Sequence, residues 1–112
     1  MCIRDRAGIK AAVPGATTLD VFNTMNKIIE EGGAIGNNVG RLGHGLGLQL
    51  TEPPSHRPEE QTIIKENMVL TIEPGMEYKK DKMLVHEENI VIHKDGAELI
   101  TKRAPREIPI IK

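Results

Sequence analysis

Met68-Val69-Leu70-Thr71-Ile72-Glu73-Pro74-Gly75 is the stretch on which the fold turns. Its first five residues form an apolar, β-branched-rich run that reads as a buried strand, and Pro74-Gly75 stops it. Glu73 stands directly behind that run, carried inward by the strand, where an unpaired charge is costly. Downstream the β pattern continues: Met76–Tyr78, a charged turn at Lys79–Lys82, Met83–Glu87, Asn89–His93, a Lys94-Asp95-Gly96 turn, then Ala97–Thr101. Upstream, Leu46, Leu48 and Leu50 alternate with Gly47, Gln49 and Thr51, which is strand periodicity with one apolar face. Pro53-Pro54 halts that strand, and Ser55–Gln61 reads as a polar loop.

Before these strands the pattern is helical. Thr17 to about Glu31 carries Val21, Phe22, Met25, Ile28 and Ile29 at helical spacing, a threonine able to cap, Asp20 in the first turn and Gly32-Gly33 to end it. A shorter helix is expected over Ala7–Val13, stopped by Pro14-Gly15. Residues 1–6 show no periodicity tying them to the rest and read as a non-native or unstructured start, leaving 7–112 as the folded unit. Between helix and strands, residues 32–47 hold seven glycines with Asn37-Asn38 among them, a composition suited to sharp turns and close backbone approach. One main helix followed by short antiparallel strands is an α+β order, not a doubly wound parallel sheet.

Composition narrows the function. Fifteen basic against sixteen acidic residues give a net charge of −1, with no electrostatic footprint for nucleic acid or an anionic membrane. No apolar run is long enough to span a bilayer, and the N-terminus lacks the apolar core of a signal peptide. One cysteine, Cys2, excludes an internal disulfide framework and points to a reducing, cytoplasmic setting. With Phe22 and Tyr78 the only aromatics, the core must be built from Ile, Leu, Val and Met.

Three residues could carry chemistry: His44 between two glycines, Glu73, and Glu87 in Val85-His86-Glu87-Glu88-Asn89. Intervals of 29 and 14 residues separate them. Two carboxylates and an imidazole form a mixed oxygen and nitrogen set suited to Mn²⁺, Fe²⁺, Co²⁺ or Zn²⁺. Each also has a plain reading. Glycines can flank a loop histidine for conformational reasons, Glu-Pro-Gly can be a solvated turn, and Glu87 can form an acidic surface pair with Glu88. His56, His86 and His93 are assigned to surface or strand positions.

Four ordered pieces carry a resemblance: Gly43-His44-Gly45-Leu46-Gly47-Leu48, Glu52-Pro53-Pro54, Met68 to Gly75, and Glu87-Glu88-Asn89-Ile90-Val91-Ile92. Together with the Val13-Pro14-Gly15-Ala16-Thr17 entry to the helix and the Arg103-Ala104-Pro105-Arg106-Glu107 tail, they resemble the M24 metallopeptidases. That is the pita-bread family of Xaa-Pro aminopeptidases, prolidases, methionine aminopeptidases and creatinase, and the Xaa-Pro peptidase branch is the most similar. The resemblance implies a pita-bread fold of which this chain is the C-terminal half. It implies two divalent metal ions (Mn, Co, Zn or Fe) in the full-length parent, with His44 as the single imidazole ligand, Glu73 as a ligand that also handles the proton of the attacking water, and Glu87 as the bridging carboxylate. The implied reaction is cleavage of an amide bond in a peptide or small amide by metal-activated water, in a protein that is a homodimer at full length.

The sequence departs from that pattern in two places. The family's two aspartate ligands lie ahead of the helix beginning near Thr17, where only Asp5 and Asp20 occur here, neither in the right context. The isolated chain is therefore expected to be inactive and to bind at most one metal weakly. The family's second histidine, seven residues after the ligand histidine, is replaced by Thr51, which can donate a hydrogen bond but cannot carry a proton-linked charge. That leaves open a non-peptidase relative on the same site (a small-molecule C–N hydrolase or a lyase) and, from a different class, a metal-free pita-bread binding module. Apolar faces on residues 46–50 and 68–72 are expected to be exposed.

Overall fold

The first fixed point of the architecture is a helix start. In the computed structural model, which describes residues 2–36, 40–103, 105, 107, 110 and 111, Thr17 is the N-cap of helix α2 (Thr18–Glu31). Its hydroxyl accepts the Asp20 backbone N–H, while the Asp20 carboxylate accepts the Thr17 N–H at 2.8 Å. This reciprocal box satisfies two otherwise orphaned donors, and the bonds from Thr17 hold the Asp20 carboxyl below the usual carboxylate range. Val21, Phe22, Met25 and Ile29 then form one buried stripe.

A second helix, α1 (Cys2–Ala11), packs across α2. It is the short helix expected over Ala7–Val13, but it begins earlier, so residues 2–6 are helical and not unstructured, and it ends at Ala11. Close approach is possible because Gly8 has no Cβ, which would press on the Met25 side chain and on Ile72.

Seven strands follow among the described residues: β1 (His44–Gly45), β2 (Glu52–Ser55), β3 (Val69–Ile72), β4 (Gly75–Lys79), β5 (Lys82–Val85), β6 (Glu88–His93) and β7 (Gly96–Leu99). Five form a sheet in the order β2-β1-β3-β6-β7, and β4-β5 forms a separate ladder; every pairing is antiparallel. The two ladders share one register. Ile72 faces Glu88 in the first and Gly75 faces Val85 in the second, so β3–β4 and β5–β6 are two arms of a single long hairpin interrupted at Glu73-Pro74 and His86-Glu87.

Side-chain alternation along this hairpin separates two faces. Leu70, Ile72, Ile90 and Ile92 point toward the helices and are fully buried with Met25, Ile29 and Leu42. The expectation of an exposed apolar face on residues 68–72 is thus corrected: the helices cover it. The expected strand over 46–50 is also absent. The Glu52 carboxylate accepts the Gln49 N–H at 3.1 Å and packs against Gly47, folding the chain back and leaving Leu48 and Leu50 exposed. Pro53-Pro54, expected to halt a strand, instead lies inside β2, an edge strand where the missing donors do not interrupt the sheet. Met1, Asn37-Asn38, Ala104 and Arg106 lie outside the described residues.

Thr17→Ala removes one half of the capping box and is expected to cost about 1 kcal/mol, lowering the melting temperature by roughly 4–8 °C. Thermal unfolding followed by circular dichroism checks it.

Candidate metal centre

Two glycines set His44 in place. Gly43 has φ of 145°, and a Cβ there would run into the Thr71 carbonyl oxygen of β3; at Gly45 it would strike the Pro53 carbonyl of β2. The neighbouring backbones therefore approach His44 from both sides. The Thr71 hydroxyl accepts the His44 backbone N–H at 2.9 Å, and the Gly43 carbonyl accepts the His56 N–H at 2.9 Å. His44 is 4% exposed.

The His44 ring is oriented by its own chain. Nδ1 lies 2.8 Å from the Gly45 carbonyl oxygen, which can only accept, so Nδ1 carries the proton. In the neutral imidazole this leaves the Nε2 lone pair pointing outward, and Nε2 stands 3.5 Å from Oε1 of Glu73. Backbone ligation of the distal ring nitrogen is the usual way a metal-binding histidine is held.

Glu73 is placed by the bond from its N–H to the Leu42 carbonyl at 2.9 Å. Glu87 follows from the register. The pairs on either side, Ile72 with Glu88 and Gly75 with Val85, set Glu73 opposite Glu87 and Pro74 opposite His86. His86 N–H donates to the Pro74 carbonyl at 3.4 Å, which makes Glu73 and Glu87 a non-hydrogen-bonded pair with neighbouring side chains on one face. Glu87 is exposed and its carboxylate has no partner among the described residues. Two like charges directly opposite destabilise a sheet. His44 and Glu73 have the donor chemistry of a divalent-cation site and approach each other at 3.5 Å, whereas Glu87 is placed beside them by register alone. Among the described residues the only three such side chains with ligand atoms within 4.8 Å of one another are Asp5, His86 and Glu88.

Glu73 also opens into a cavity of about 480 Å³ lined by Gly40, Arg41, Ser55, Arg57 and Val85. Arg57 is tied to Glu60 at 3.4 Å. Thr51 is exposed at the end of the 46–51 loop, and its hydroxyl makes no hydrogen bond among the described residues.

Sequence reasoning missed what lies on the opposite face. Glu88, read as the surface partner of Glu87, is 1% exposed and points toward the helices. His86, assigned to a surface or strand position, is partly buried there between β5 and β6, with Nδ1 3.5 Å from Oδ2 of Asp5, itself 1% exposed. One ligand atom from each of Asp5, His86 and Glu88 lies within 4.8 Å of the others. Strand parity is the signal that could have separated Glu87 from Glu88. His56, assigned to a surface or strand position, is likewise fully buried and outside any strand, and neither ring nitrogen has a hydrogen-bond partner among the described residues. His93 is exposed and pairs with Glu98 at 2.6 Å, as expected for a strand surface position.

Comparison with known proteins bears on this geometry. The family model for metallopeptidase family M24 matches residues 5–95. The Xaa-Pro dipeptidase of Pyrococcus furiosus is 35% identical over 97 residues, which is 87% of this chain and 28% of that protein. The Xaa-Pro dipeptidase of Lactobacillus delbrueckii is 33% identical over 86% of this chain and 26% of its own length. Among solved structures, the prolidase from Pyrococcus furiosus superposes with a TM-score of 0.85 at 33% identity, covering 93% of this chain and 31% of that one. The X-Pro aminopeptidase from Thermotoga maritima gives 0.84 at 30%, covering 98% and 31%. The chain thus spans less than a third of the length of the curated relatives it matches.

Burial pushes the His56 imidazole down to about 4, with Glu60 opposing the shift and His44 adding to it. Between pH 6.5 and about 4 only the unfolded chain takes up this proton, so stability falls as pH falls through that window, by about 3 kcal/mol in all. The melting temperature of the wild type should therefore drop more steeply from pH 7 to 4.5 than that of His56→Gln; parallel profiles would refute the assignment. At Gly43, substitution by Ala should cost roughly 1–3 kcal/mol or more through overpacking and strain, measured as a lower urea midpoint.

Proposed function

Because the chain belongs to metallopeptidase family M24, we propose that it contributes His44, Glu73 and Glu87 to the metal centre of a hydrolase that cleaves an amide bond in a peptide or small amide. The observation that carries this reading is the His44–Glu73 approach at 3.5 Å with Nδ1 already committed to the Gly45 carbonyl and Glu87 in register opposite Glu73.

Charge sets the stoichiometry. A neutral imidazole and two carboxylates carry −2, which balances one divalent cation. Two cations need further anionic ligands, supplied from outside this chain in the full-length protein. The isolated 112-residue chain therefore binds at most one ion, weakly, and does not turn over substrate. When bound, divalent ions such as Mn²⁺, Co²⁺, Zn²⁺ or Fe²⁺ supply a water of lowered pKa and Lewis-acid stabilisation of a developing oxyanion.

The chain's own residues then divide the work. Glu73, at the border of site and cavity, can take a proton at Oε1 from the attacking water and return it to the leaving nitrogen. The Arg41 and Arg57 guanidinium groups give the cavity beside it a cationic wall suited to a substrate carboxylate. Thr51 offers one neutral donor where a second histidine would offer a titrating one. That substitution supports a second reading, a small-molecule C–N hydrolase or lyase on the same ligands.

Isothermal titration of the chain with Mn²⁺ should show a single weak site that His44→Ala abolishes; two tight sites would overturn the ligand count. In the full-length protein, Glu73→Gln should lower turnover of Xaa-Pro dipeptides by about 10²–10⁴-fold. Intact metal loading without any turnover of these substrates would favour the second reading.

A further inference from the structure

Resting on the metal reading above, we propose that Thr101 is a positioning residue for Glu87. Strand β7 ends at Leu99, opposite Ile90, and Ile100 N–H still donates to the Asn89 carbonyl at 3.0 Å. Beyond that the backbone ladder stops, while the Asn89 N–H continues to point toward the missing strand. The Thr101 hydroxyl takes the place of the absent carbonyl: Oγ1 accepts the Asn89 N–H at 3.2 Å. The same hydroxyl donates its one proton to Oε2 of Glu88 at 2.7 Å.

One side chain thus clamps the two residues that follow Glu87, Glu88 through its buried carboxylate and Asn89 through its backbone. Glu87 itself has no side-chain partner among the described residues and lies outside both ladders. Its bearing toward Glu73 is inherited from Glu88, which faces Ile72. A hydroxyl that both accepts and donates is required here, which serine also provides and valine, of the same shape, does not.

The experiment is Mn²⁺ titration of the wild-type chain, Thr101→Val, Thr101→Ser and His44→Ala, with melting temperatures in EDTA alongside. Thr101→Val should weaken Mn²⁺ binding by about 10–100-fold, the range found for outer partners of metal ligands, and Thr101→Ser should bind like the wild type. A lower metal-free melting temperature with unchanged Mn²⁺ affinity would show a purely structural hydroxyl and overturn the proposal. Should Thr101→Val not fold, amide exchange of the wild type decides: Mn²⁺ should slow exchange at Asn89, and no change there overturns the proposal. If the wild type binds no Mn²⁺ at all, the metal reading itself fails; if it binds and only His44→Ala loses binding, that reading stands and this one falls.

Discussion

The opposition of Glu73 and Glu87 across one hairpin is the constraint on which the site depends. Left to themselves these carboxylates would separate, since like charges facing each other across a ladder are unfavourable. Their register is imposed from the other side of the sheet. Leu70, Ile72, Ile90 and Ile92 are fully buried under the helices, and a slip of one residue would turn all of them outward. Hydrophobic burial on one face thus fixes the register that sets Glu73 opposite Glu87 on the other. Pro74 fits that role, since it has no N–H to bridge the two arms where the carboxylates must face each other.

Alternation also explains why adjacent acidic residues behave so differently. Glu87 faces outward beside the cavity-lining Val85 position, and Glu88 faces the helices, where Thr101, His86 and Asp5 surround it. A buried carboxylate is tolerable only with donors at hand, and the Thr101 hydroxyl supplies one. The polar cluster under α1 and the open-face constellation are therefore two consequences of a single strand register, rigidly coupled through one peptide unit.

What could be read from the sequence followed from residues whose local signals agreed with their tertiary surroundings. Thr17 and Asp20 announce the start of α2, Val21 to Ile29 its buried stripe, and the apolar run at Met68 its central strand. The misreadings have a common cause. Leu46, Leu48 and Leu50 alternate like a strand, but the backbone there is captured by a side chain, Glu52, four residues beyond Leu48. Pro53-Pro54 forbids a central strand yet suits an edge, and edge position is a property of the whole sheet. His56 and Glu88 look like surface residues because nothing local reveals what will cover them. His44 and Glu73 became candidate ligands through the M24 resemblance, their own local signals being equally those of a loop histidine and a turn glutamate, whereas the ring orientation of His44 depends on the Gly45 carbonyl and could come only from the three-dimensional structure.

The site divides into a rigid and an adaptable part, and this bears on how reaction and substrate are apportioned. His44, Glu73 and Glu87 stand on or beside strands locked by core packing and by the close backbone contacts at Gly43 and Gly45. Thr51 belongs to a loop whose leucines are exposed and whose shape rests on a single carboxylate–amide bond at Glu52. Ligands need sub-ångström placement, which strands provide; substrate contacts tolerate and exploit variation, which loops provide. On the proposed reading, a change at Thr51 would alter what is bound without disturbing the geometry of His44, Glu73 and Glu87. A change in the buried pairs beneath Glu73 and Glu87 disturbs that geometry without touching any substrate. On that same reading, the threonine at position 51 falls on the adaptable side and would bear on substrate choice without moving His44 or Glu73.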